Sequence, residues 1–230
     1  MPAIIALGMS KGGSGKTTIG LLLADAYARQ GWKVRIIDVD PQASSVKWLE
    51  RTNAAGERPN GISVVKADGE AGLANALKDV EAFDVVLIDT QGAINQLIAM
   101  AASRADLVLI PCRASKQDLV EAEALLKFLD DLLGHLRPVE ARLVLNDVDG
   151  LDPKQAPFKE TLAYLVEKKM PYFTTMIGRR SLYKTFADHG ASLTTMTGSA
   201  EAIAKAVANI DRLAREIWTL LTGPDEEEAA

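Results

Sequence analysis

Short apolar runs rich in β-branched residues alternate along most of the chain with segments whose apolar positions recur at helical spacing. The runs are continuous rather than alternating, which is typical of strands covered on both faces. The pattern predicts an α/β fold, a doubly wound and mostly parallel sheet with helices on both faces. Seven strands are predicted, at residues 3–9, 33–39, 62–66, 84–89, 106–111, 141–146 and 172–177.

The helical segments between these strands carry recognisable end signals. TTIGLLLADAYARQG ends with Gly31 and DLVEAEALLKFLDDLLG ends with Gly134, and both glycines are predicted to cap their helices. Residues 52–61 are predicted to form an exposed loop. The last helix, about 199–221, is predicted to pack through one apolar face, formed by Ile203, Val207, Ile210, Leu213, Ile217 and Leu221.

Composition narrows the class of protein. Of 230 residues, 48% are hydrophobic and 25% charged, the balance of an ordinary globular domain, which we place at 1–222. We predict that the acidic tail, 223–230, is disordered. No segment reaches the roughly 18 apolar residues of a membrane span, and no basic region opens a secretory signal. The single cysteine, Cys112, excludes an internal disulfide and a cysteine-rich metal site, and it ends an apolar run as a predicted buried thiol. These features predict a cytoplasmic protein.

Charge and the remaining polar or aromatic residues add little chemistry of their own. The formal net charge is −5, so any contact with nucleic acid requires a local basic patch. His135 and His189 have no third ligand nearby and do not support a metal site. Trp32, Trp48 and Trp218 are predicted to pack in the core or between helices.

A glycine-rich stretch, MSKGGSGKTT at 9–18, follows the first predicted strand and opens a helix. Glycines let the backbone wrap around phosphates, and the helix N-terminus adds its positive dipole end. Lys16 is predicted to reach the β- and γ-phosphates and Thr17 to bind Mg²⁺. Ser10 stands where the usual pattern has its first glycine, and Lys11 is a second lysine within the loop. The predicted nucleotide contacts are Lys11, Gly12, Gly13, Ser14, Gly15, Lys16, Thr17 and Thr18.

Aspartates end two further predicted strands, Asp38 and Asp40 in IIDVDPQAS and Asp89 in VVLIDTQG. In a doubly wound sheet these strand ends open onto the same crevice as the glycine-rich stretch. Carboxylates there are suited to hold Mg²⁺ or its waters. For Asp40, which precedes Pro41, a helix N-cap is the alternative role.

The stretches KGGSGKTT at 11–18, DVDPQAS at 38–44 and VVLIDTQG at 85–92 together resemble the ParA/MinD family of deviant P-loop ATPases. Their order and spacing are closest to the small single-domain ParA-type partition ATPases. The resemblance continues through ADLVLIPCRASKQDL to the end of the folded region. In this family the first loop lysine, here Lys11, is the signature residue, and many members also lack the glycine that Ser10 replaces.

The resemblance implies roles for individual residues. Lys11 would reach across an ATP-bound homodimer to the phosphates held by the other subunit. Asp40 would belong to the metal site with Thr17 and Asp89, and it would position or activate the attacking water. Asp89 would hold Mg²⁺ through water, and Asp38 would have a structural role. Asn146 in LVLNDVD would contact adenine, although a simple polar strand end is an equal alternative.

Several branches of the family have sequence features that this chain lacks. A single cysteine excludes relatives of the nitrogenase iron protein, and the DEEE tail argues against a MinD-like membrane helix. The chain begins at its first strand, without the N-terminal helix-turn-helix domain of larger partition ATPases. The remaining resemblance, to the small single-domain ParA type, implies non-specific DNA binding by the ATP-bound dimer. The candidate contacts are Arg179, Arg180 and Lys184, with Arg212 and Arg215 as additions, whereas solvated or carbonyl-capping arginines are the alternative.

The sequence therefore predicts a Mg²⁺-dependent ATPase that binds ATP and ADP, with Lys11, Lys16 and Asp40 as catalytic residues. A small partner protein would stimulate hydrolysis, no membrane would be involved, and the nucleoid-associated dimer would partition plasmid or chromosomal DNA. One alternative is a ParA-like ATPase that positions a protein complex or organelle, or recruits DNA to a transfer apparatus. Another is a P-loop enzyme that phosphorylates a metabolite, but no long unassigned segment offers its substrate-binding insertion.

Overall fold

The computed structural model of the chain describes residues 1–135, 138–148 and 156–223, apart from the side chains at 156 and 157. Within this part, six strands form one sheet that is parallel throughout, in the order β3-β2-β4-β1-β5-β6. The predicted doubly wound parallel fold is confirmed. The strands are β1 (Ala3–Leu7), β2 (Val34–Asp38), β3 (Ile62–Lys66), β4 (Val85–Asp89), β5 (Leu107–Arg113) and β6 (Glu140–Asn146).

Helices follow the strands and cover both faces of the sheet. A single turn of 3₁₀ helix, Leu193–Thr195, lies between the last two of them. The helices are α1 (Lys16–Arg29), α2 (Ser44–Ala54), α3 (Gly69–Ala76), α4 (Gln96–Arg104), α5 (Lys116–Leu133), α6 (Ala156–Glu167), α7 (Ser181–His189) and α8 (Ala200–Thr222).

The sheet divides the hydrophobic core into two layers, and successive residues of the central strand β1 point into opposite layers. Ile5 and Leu7 are fully buried in the layer that includes α1, α2, α7 and α8. Ala6 is fully buried in the other layer, with residues of α3, α4, α5 and α6. Burial on both faces explains the continuous apolar runs of the strands.

The seventh predicted strand, 172–177, is wrong. Phe173 and Ile177 donate backbone hydrogen bonds to β6, but the segment forms one isolated bridge, between Leu143 and Tyr172, and no continuous strand. The carboxylate of Glu216 on α8 accepts the backbone N–H groups of Thr174 at 2.7 Å and Thr175 at 2.9 Å. Those two donors are therefore withdrawn from the sheet.

Both glycines that were predicted to cap helices lie at the ends of those helices. Gly31 has a φ of 87°, and it and Trp32 donate to the Ala28 and Tyr27 carbonyls, which is a Schellman cap. Gly134 is the C-cap residue of α5, as predicted: it keeps right-handed dihedrals (φ −58°, ψ −30°), and its N–H donates to the Asp130 carbonyl. The last helix is confirmed at Ala200–Thr222.

Helix α2 is tied directly to the end of α7. The indole Nε1 of Trp48 donates to the carbonyls of Phe186 at 3.1 Å and Gly190 at 3.0 Å. One turn later on α2, the guanidinium of Arg51 donates to the Ala187 and Asp188 carbonyls. These contacts satisfy carbonyls that a helix C-terminus otherwise leaves unpaired.

Other sequence predictions can be placed as well. Cys112 is a buried free thiol, and burial raises its pKa to about 12. Trp48 is fully buried and Trp32 packs on Tyr27 and Trp218, so the tryptophans are packing residues. In the described part of the chain, no helix is long and apolar enough to cross a membrane. The predicted acidic tail, beyond Gly223, lies outside the described residues.

Candidate active site

The sheet order places the glycine-rich stretch and the aspartates at one edge. In the register of the central strands, Leu7 is the partner of Asp89, and Asp38 is the partner of Asp89 from the other side. The stretch that follows β1 leads directly into α1, which begins at Lys16. The predicted convergence of these strand ends is therefore present.

The stretch itself is built around the left-handed backbone of two glycines. Gly13 has a φ of 77° and Gly15 a φ of 94°. A Cβ atom on Gly15 would also collide with the amide nitrogen of Asn146. Ser14 is buried, and its hydroxyl has no hydrogen-bond partner among the described residues. The loop thus has a backbone conformation that would be strained for residues other than glycine. It leads into a helix N-terminus suited to anions.

Lys16 is folded back into this loop. It is only 6% exposed, and its Nζ donates to the Lys11 carbonyl oxygen at 3.2 Å. Burial lowers the pKa of Lys16, although Asp89 and Asp40 act in the opposite direction. A buried ammonium with one weak neutral acceptor is well placed to exchange that acceptor for phosphate oxygens.

Asp89 is the centre of the candidate metal site. Its Oδ2 accepts hydrogen bonds from Thr17 Oγ1 at 2.9 Å and Ser45 Oγ at 2.8 Å. Its Oδ1 is buried and has no partner among the described residues. Burial, followed by the nearby charge of Asp38, raises the pKa of Asp89 to about 7.

This arrangement fits Mg²⁺. A hydroxyl and a carboxylate oxygen are the hard donors that Mg²⁺ prefers, and Mg²⁺ usually keeps waters and adds substrate phosphates. No group of three or more His, Cys, Asp or Glu side chains suited to a metal occurs in the described ranges. Thr17 and Asp89 would therefore hold the ion together with phosphate and water, and the bound ion would neutralise developing phosphate charge.

Asp38 has the structural role that the resemblance implied. Its carboxylate accepts the N–H groups of Asp40 at 3.1 Å, Ser45 at 2.9 Å and Val46 at 3.2 Å. Burial raises the pKa of Asp38, and these backbone hydrogen bonds oppose the shift. Asp38 thereby caps α2, whose N-cap residue, Ala43, has a φ of 50° and offers no side-chain acceptor.

Asp40 lines the cleft and is not the N-cap of α2. Its Oδ1 accepts the Gln42 N–H at 2.8 Å, and its carbonyl accepts Lys66 Nζ at 2.7 Å. The alternative role as a helix cap is therefore wrong for this residue. Its position on the cleft wall suits the role of orienting water that the resemblance implies.

Lys11 is paired within its own chain. Its Nζ lies 2.6 Å from Oδ1 of Asp118, in the first turn of α5, and that carboxylate is almost completely buried. The preceding residue, Ser10, hydrogen-bonds Glu121 on the same helix. Two consecutive loop residues are therefore attached to α5, through acids that the sequence analysis did not single out.

The opposite wall of the cleft begins at Asn146. Its Nδ2 donates to the Ser14 carbonyl at 3.0 Å, and its Oδ1 accepts the Asp147 N–H at 2.8 Å. Arg113 donates to the Gly13 carbonyl at 2.6 Å. Asn146 and Arg113 thus brace the glycine-rich loop from this wall.

The basic residues that were predicted to contact DNA line this same cleft, which has a volume of about 550 Å³. Arg179 forms a two-point contact with Asp147, at 2.9 and 3.1 Å. Arg180 is half-buried beside Tyr183, and Lys184 is exposed. Arg212 and Arg215 are exposed on the outer side of α8. The structure brings Arg179, Arg180 and Lys184 to the cleft that also holds Lys16 and Thr17.

A family profile matches this sequence over nearly its whole length. Residues 5–220 match the profile of the CobQ/CobB/MinD/ParA nucleotide binding domain. The chain belongs to this family. The predicted membership of the ParA/MinD family is therefore confirmed.

Curated relatives of this ParA/MinD-type chain include partition proteins. ParA of Rhizobium radiobacter is 28% identical over 225 residues, which span 96% of this chain and 98% of that protein. The maintenance of carboxysome distribution protein A of Gloeobacter kilaueensis is 32% identical over 119 residues, which span 51% of this chain and 52% of that protein.

Solved structures share the fold. Cyanothece McdA in complex with ATP has a TM-score of 0.73 and 19% identity, covering 94% of this chain and 96% of that one. Cobyrinic acid a,c-diamide synthase from Mycobacterium smegmatis, with an ATP analogue and magnesium, has a TM-score of 0.73 and 17% identity, covering 97% and 96%.

Sequence reasoning missed four residues that shape this site: Ser45, Arg113, Asp118 and Asp147. Asp118 had one local signal, since it stands three residues after Ser115, whose side chain caps α5 by accepting the Asp118 N–H at 3.2 Å. That spacing predicts a first-turn acid but not its contact with Lys11. The other three are recognisable only from the fold.

Proposed function

We propose that this chain is a Mg²⁺-dependent ATPase of the partition type, which hydrolyses ATP to ADP. The observation that carries the proposal is the pairing of Thr17 Oγ1 with Asp89 Oδ2 at 2.9 Å, beside the buried Lys16. This is the donor set that a Mg²⁺–nucleotide complex requires at the end of a phosphate-binding loop. Similarity to ParA over nearly the whole of both chains supports partition as the role.

In the proposed cycle, ATP converts a monomer into a homodimer with two nucleotides at its interface. Lys11 leaves Asp118 and reaches the phosphates held by the partner subunit. Asp40 orients the attacking water, and a small partner protein stimulates hydrolysis. The partial exposure of Lys11, one-third of its side chain, supports its availability for an exchange of partners.

The proposed dimer binds DNA non-specifically and thereby associates with the nucleoid in the cytoplasm. The contacts would come from Arg179, Arg180 and Lys184, supplemented by Arg212 and Arg215. Three of these residues line the nucleotide cleft, which supports a DNA affinity that depends on the bound nucleotide. Phosphate contacts of this kind are sensitive to salt and independent of base sequence.

The test compares DNA binding with ATP, ADP and no nucleotide, together with sedimentation of the wild type and Asp40→Ala. We expect salt-sensitive DNA binding and dimers with ATP alone, and a longer-lived dimer for Asp40→Ala. Lys184→Glu should weaken DNA binding about tenfold, whereas Lys205→Glu, on the exposed face of α8 and paired with Glu201, should not. A chain that remains monomeric with ATP in both forms would contradict the proposal.

A second candidate function keeps the ATPase and changes the cargo to a protein complex or organelle. Similarity to a carboxysome distribution protein favours it. ATP-dependent dimerisation and DNA binding are expected for both functions. A downstream partner with a sequence-specific DNA-binding domain would favour partition, and a partner attached to a protein assembly would favour the second function.

A further inference from the structure

Ser45, in the first turn of α2, is buried between two carboxylates of adjacent strands. It is 1% exposed, its N–H donates to Asp38 Oδ2 at 2.9 Å, and its hydroxyl donates to Asp89 Oδ2 at 2.8 Å. Asp38 and Asp89 are register partners on β2 and β4. A single residue therefore connects the acid that caps α2 with the acid of the candidate metal site.

The hydroxyl of Ser45 and that of Thr17 converge on the same oxygen of Asp89. Both donors approach Oδ2, while Oδ1 has no partner in the described part of the chain. Because the backbone of β4 fixes one end of the Asp89 side chain and two donors hold Oδ2, the direction of Oδ1 is fixed as well. Residues that orient a metal-holding carboxylate in this way contribute to metal affinity without touching the ion.

The position of Ser45 is itself set by the backbone. Ala43 adopts a left-handed conformation with a φ of 50°, and α2 starts at the next residue. Asp38 accepts the N–H groups of both Ser45 and Val46, which fixes the first turn of the helix. From this fixed position the buried hydroxyl of Ser45 donates to Asp89.

We infer that Ser45 is a positioning residue for Mg²⁺: it holds Asp89 in the orientation that binds the ion, and it connects metal binding to the start of α2. The inference rests on the proposed function, in which Mg²⁺ binds with nucleotide at Thr17 and Asp89. Ser45 itself is not assigned as a metal ligand. Loss of its hydroxyl should therefore weaken binding of the ion and leave metal-free nucleotide binding intact.

The experiment measures binding of fluorescent ADP to the full chain in EDTA and across a titration of Mg²⁺. For Ser45→Ala we expect about tenfold weaker apparent Mg²⁺ affinity, with ADP affinity in EDTA unchanged. Ser45→Thr, which retains the hydroxyl, should recover most of the Mg²⁺ affinity. Thr52→Val is the matched control, because Thr52 is a buried hydroxyl on the same helix with no partner within the described ranges.

The outcomes separate this inference from the proposed function. Wild-type ADP binding that does not respond to Mg²⁺ would contradict the proposed function. A normal wild-type response with an unchanged Mg²⁺ affinity in Ser45→Ala would overturn the role of Ser45. An equal loss of ADP affinity with and without Mg²⁺, or the same loss in Thr52→Val, would also overturn it, because it would indicate a general structural effect. Thermal unfolding of all variants checks that each is folded.

Discussion

The ammonium group of Lys11 lies 2.6 Å from Oδ1 of Asp118 in the same chain, and the Asp118 carboxylate is almost completely buried. In the proposed dimer the same lysine serves the partner's nucleotide, so the ion pair must break when the dimer forms. The internal pair thus competes with dimerisation for one positive charge.

Replacing this acid tests the competition. Asp118→Asn should lower the ATP concentration needed for dimerisation about fivefold, because an ion pair whose lysine is one-third exposed contributes roughly 1 kcal/mol. Analytical ultracentrifugation across an ATP titration measures the effect, and Asp131→Asn, exposed on the same helix, is the control. Dimerisation that needs the same ATP concentration, or a higher one, would contradict this competition.

Binding of Mg²⁺ should depend on pH through Asp89. Burial raises its pKa to about 7, and the metal requires the ionised form. Apparent Mg²⁺ affinity, measured with ADP bound, should fall about tenfold per pH unit below 7 and level off above it. The Asp89→Asn variant, which cannot titrate there, should lose most of this dependence, and a wild-type affinity that is constant from pH 5.5 to 8 would refute the assignment.

The same carboxyl should affect the stability of the nucleotide-free chain in the opposite sense. Its folded-state pKa is raised, so the folded chain retains a proton that the unfolded chain has released. This contribution to stability is present below the ordinary carboxyl pKa and is lost as the pH rises through about 7. The difference in melting temperature between wild type and Asp89→Asn should therefore widen from pH 5 to pH 8, in favour of Asp89→Asn.

Gly92, which follows β4, should not tolerate a side chain. A Cβ atom there would lie 2.5 Å from the Gly12 nitrogen and 2.6 Å from the Lys11 carbonyl oxygen, both of them backbone atoms. Gly92→Ala should displace the glycine-rich loop and weaken ATP binding about tenfold or more, since overpacking costs about 1–3 kcal/mol. Calorimetric titration with ATP measures this, and Gly198→Ala, where a Cβ makes only ordinary contacts, should bind normally.

Glu216 should stabilise the segment that replaces the seventh strand. Its carboxylate accepts three hydrogen bonds from Thr174 and Thr175. Burial alone would raise the pKa of Glu216, but these hydrogen bonds outweigh burial and lower it. Glu216→Gln should reduce the free energy of unfolding by about 1–2 kcal/mol in urea titrations. Glu201→Gln, exposed on the same helix, should change it little, and equal effects of the two would disprove this role.

The glycine-rich loop, the aspartate at the end of β4 and the sheet were predictable because their signals are local. Lys16 and Thr17 stand at fixed spacing after a strand, and Asp89 ends a run of buried residues. The wrong strand at 172–177 shows the limit of such signals. Its composition is that of a strand, but Glu216, 42 residues from Thr174, accepts the N–H groups of Thr174 and Thr175. Only the packing of α8 brings that acid into contact.

The missed site residues have the same explanation. Ser45 is a common residue in the first turn of a helix, and its sequence position says nothing about a carboxylate 44 residues away. Its contact depends on the left-handed Ala43 and on the start of α2 at the next residue. Asp118 likewise has the sequence pattern of a first-turn acid, and its contact with Lys11 depends on where β5 places α5 beside the loop.

Helix α2 is a rigid connection between the aspartate at the end of β4 and helix α7. Ser45 is hydrogen-bonded to Asp89, while Trp48 and Arg51 donate hydrogen bonds to carbonyls at the end of α7. From Ser45 to Arg51 the helix rises about 9 Å without a break in its hydrogen bonding. The helix therefore connects Asp89 to the end of α7 through side-chain hydrogen bonds at two points. A displacement of Asp89 would therefore reach, through α2, the end of α7, the helix that carries Lys184.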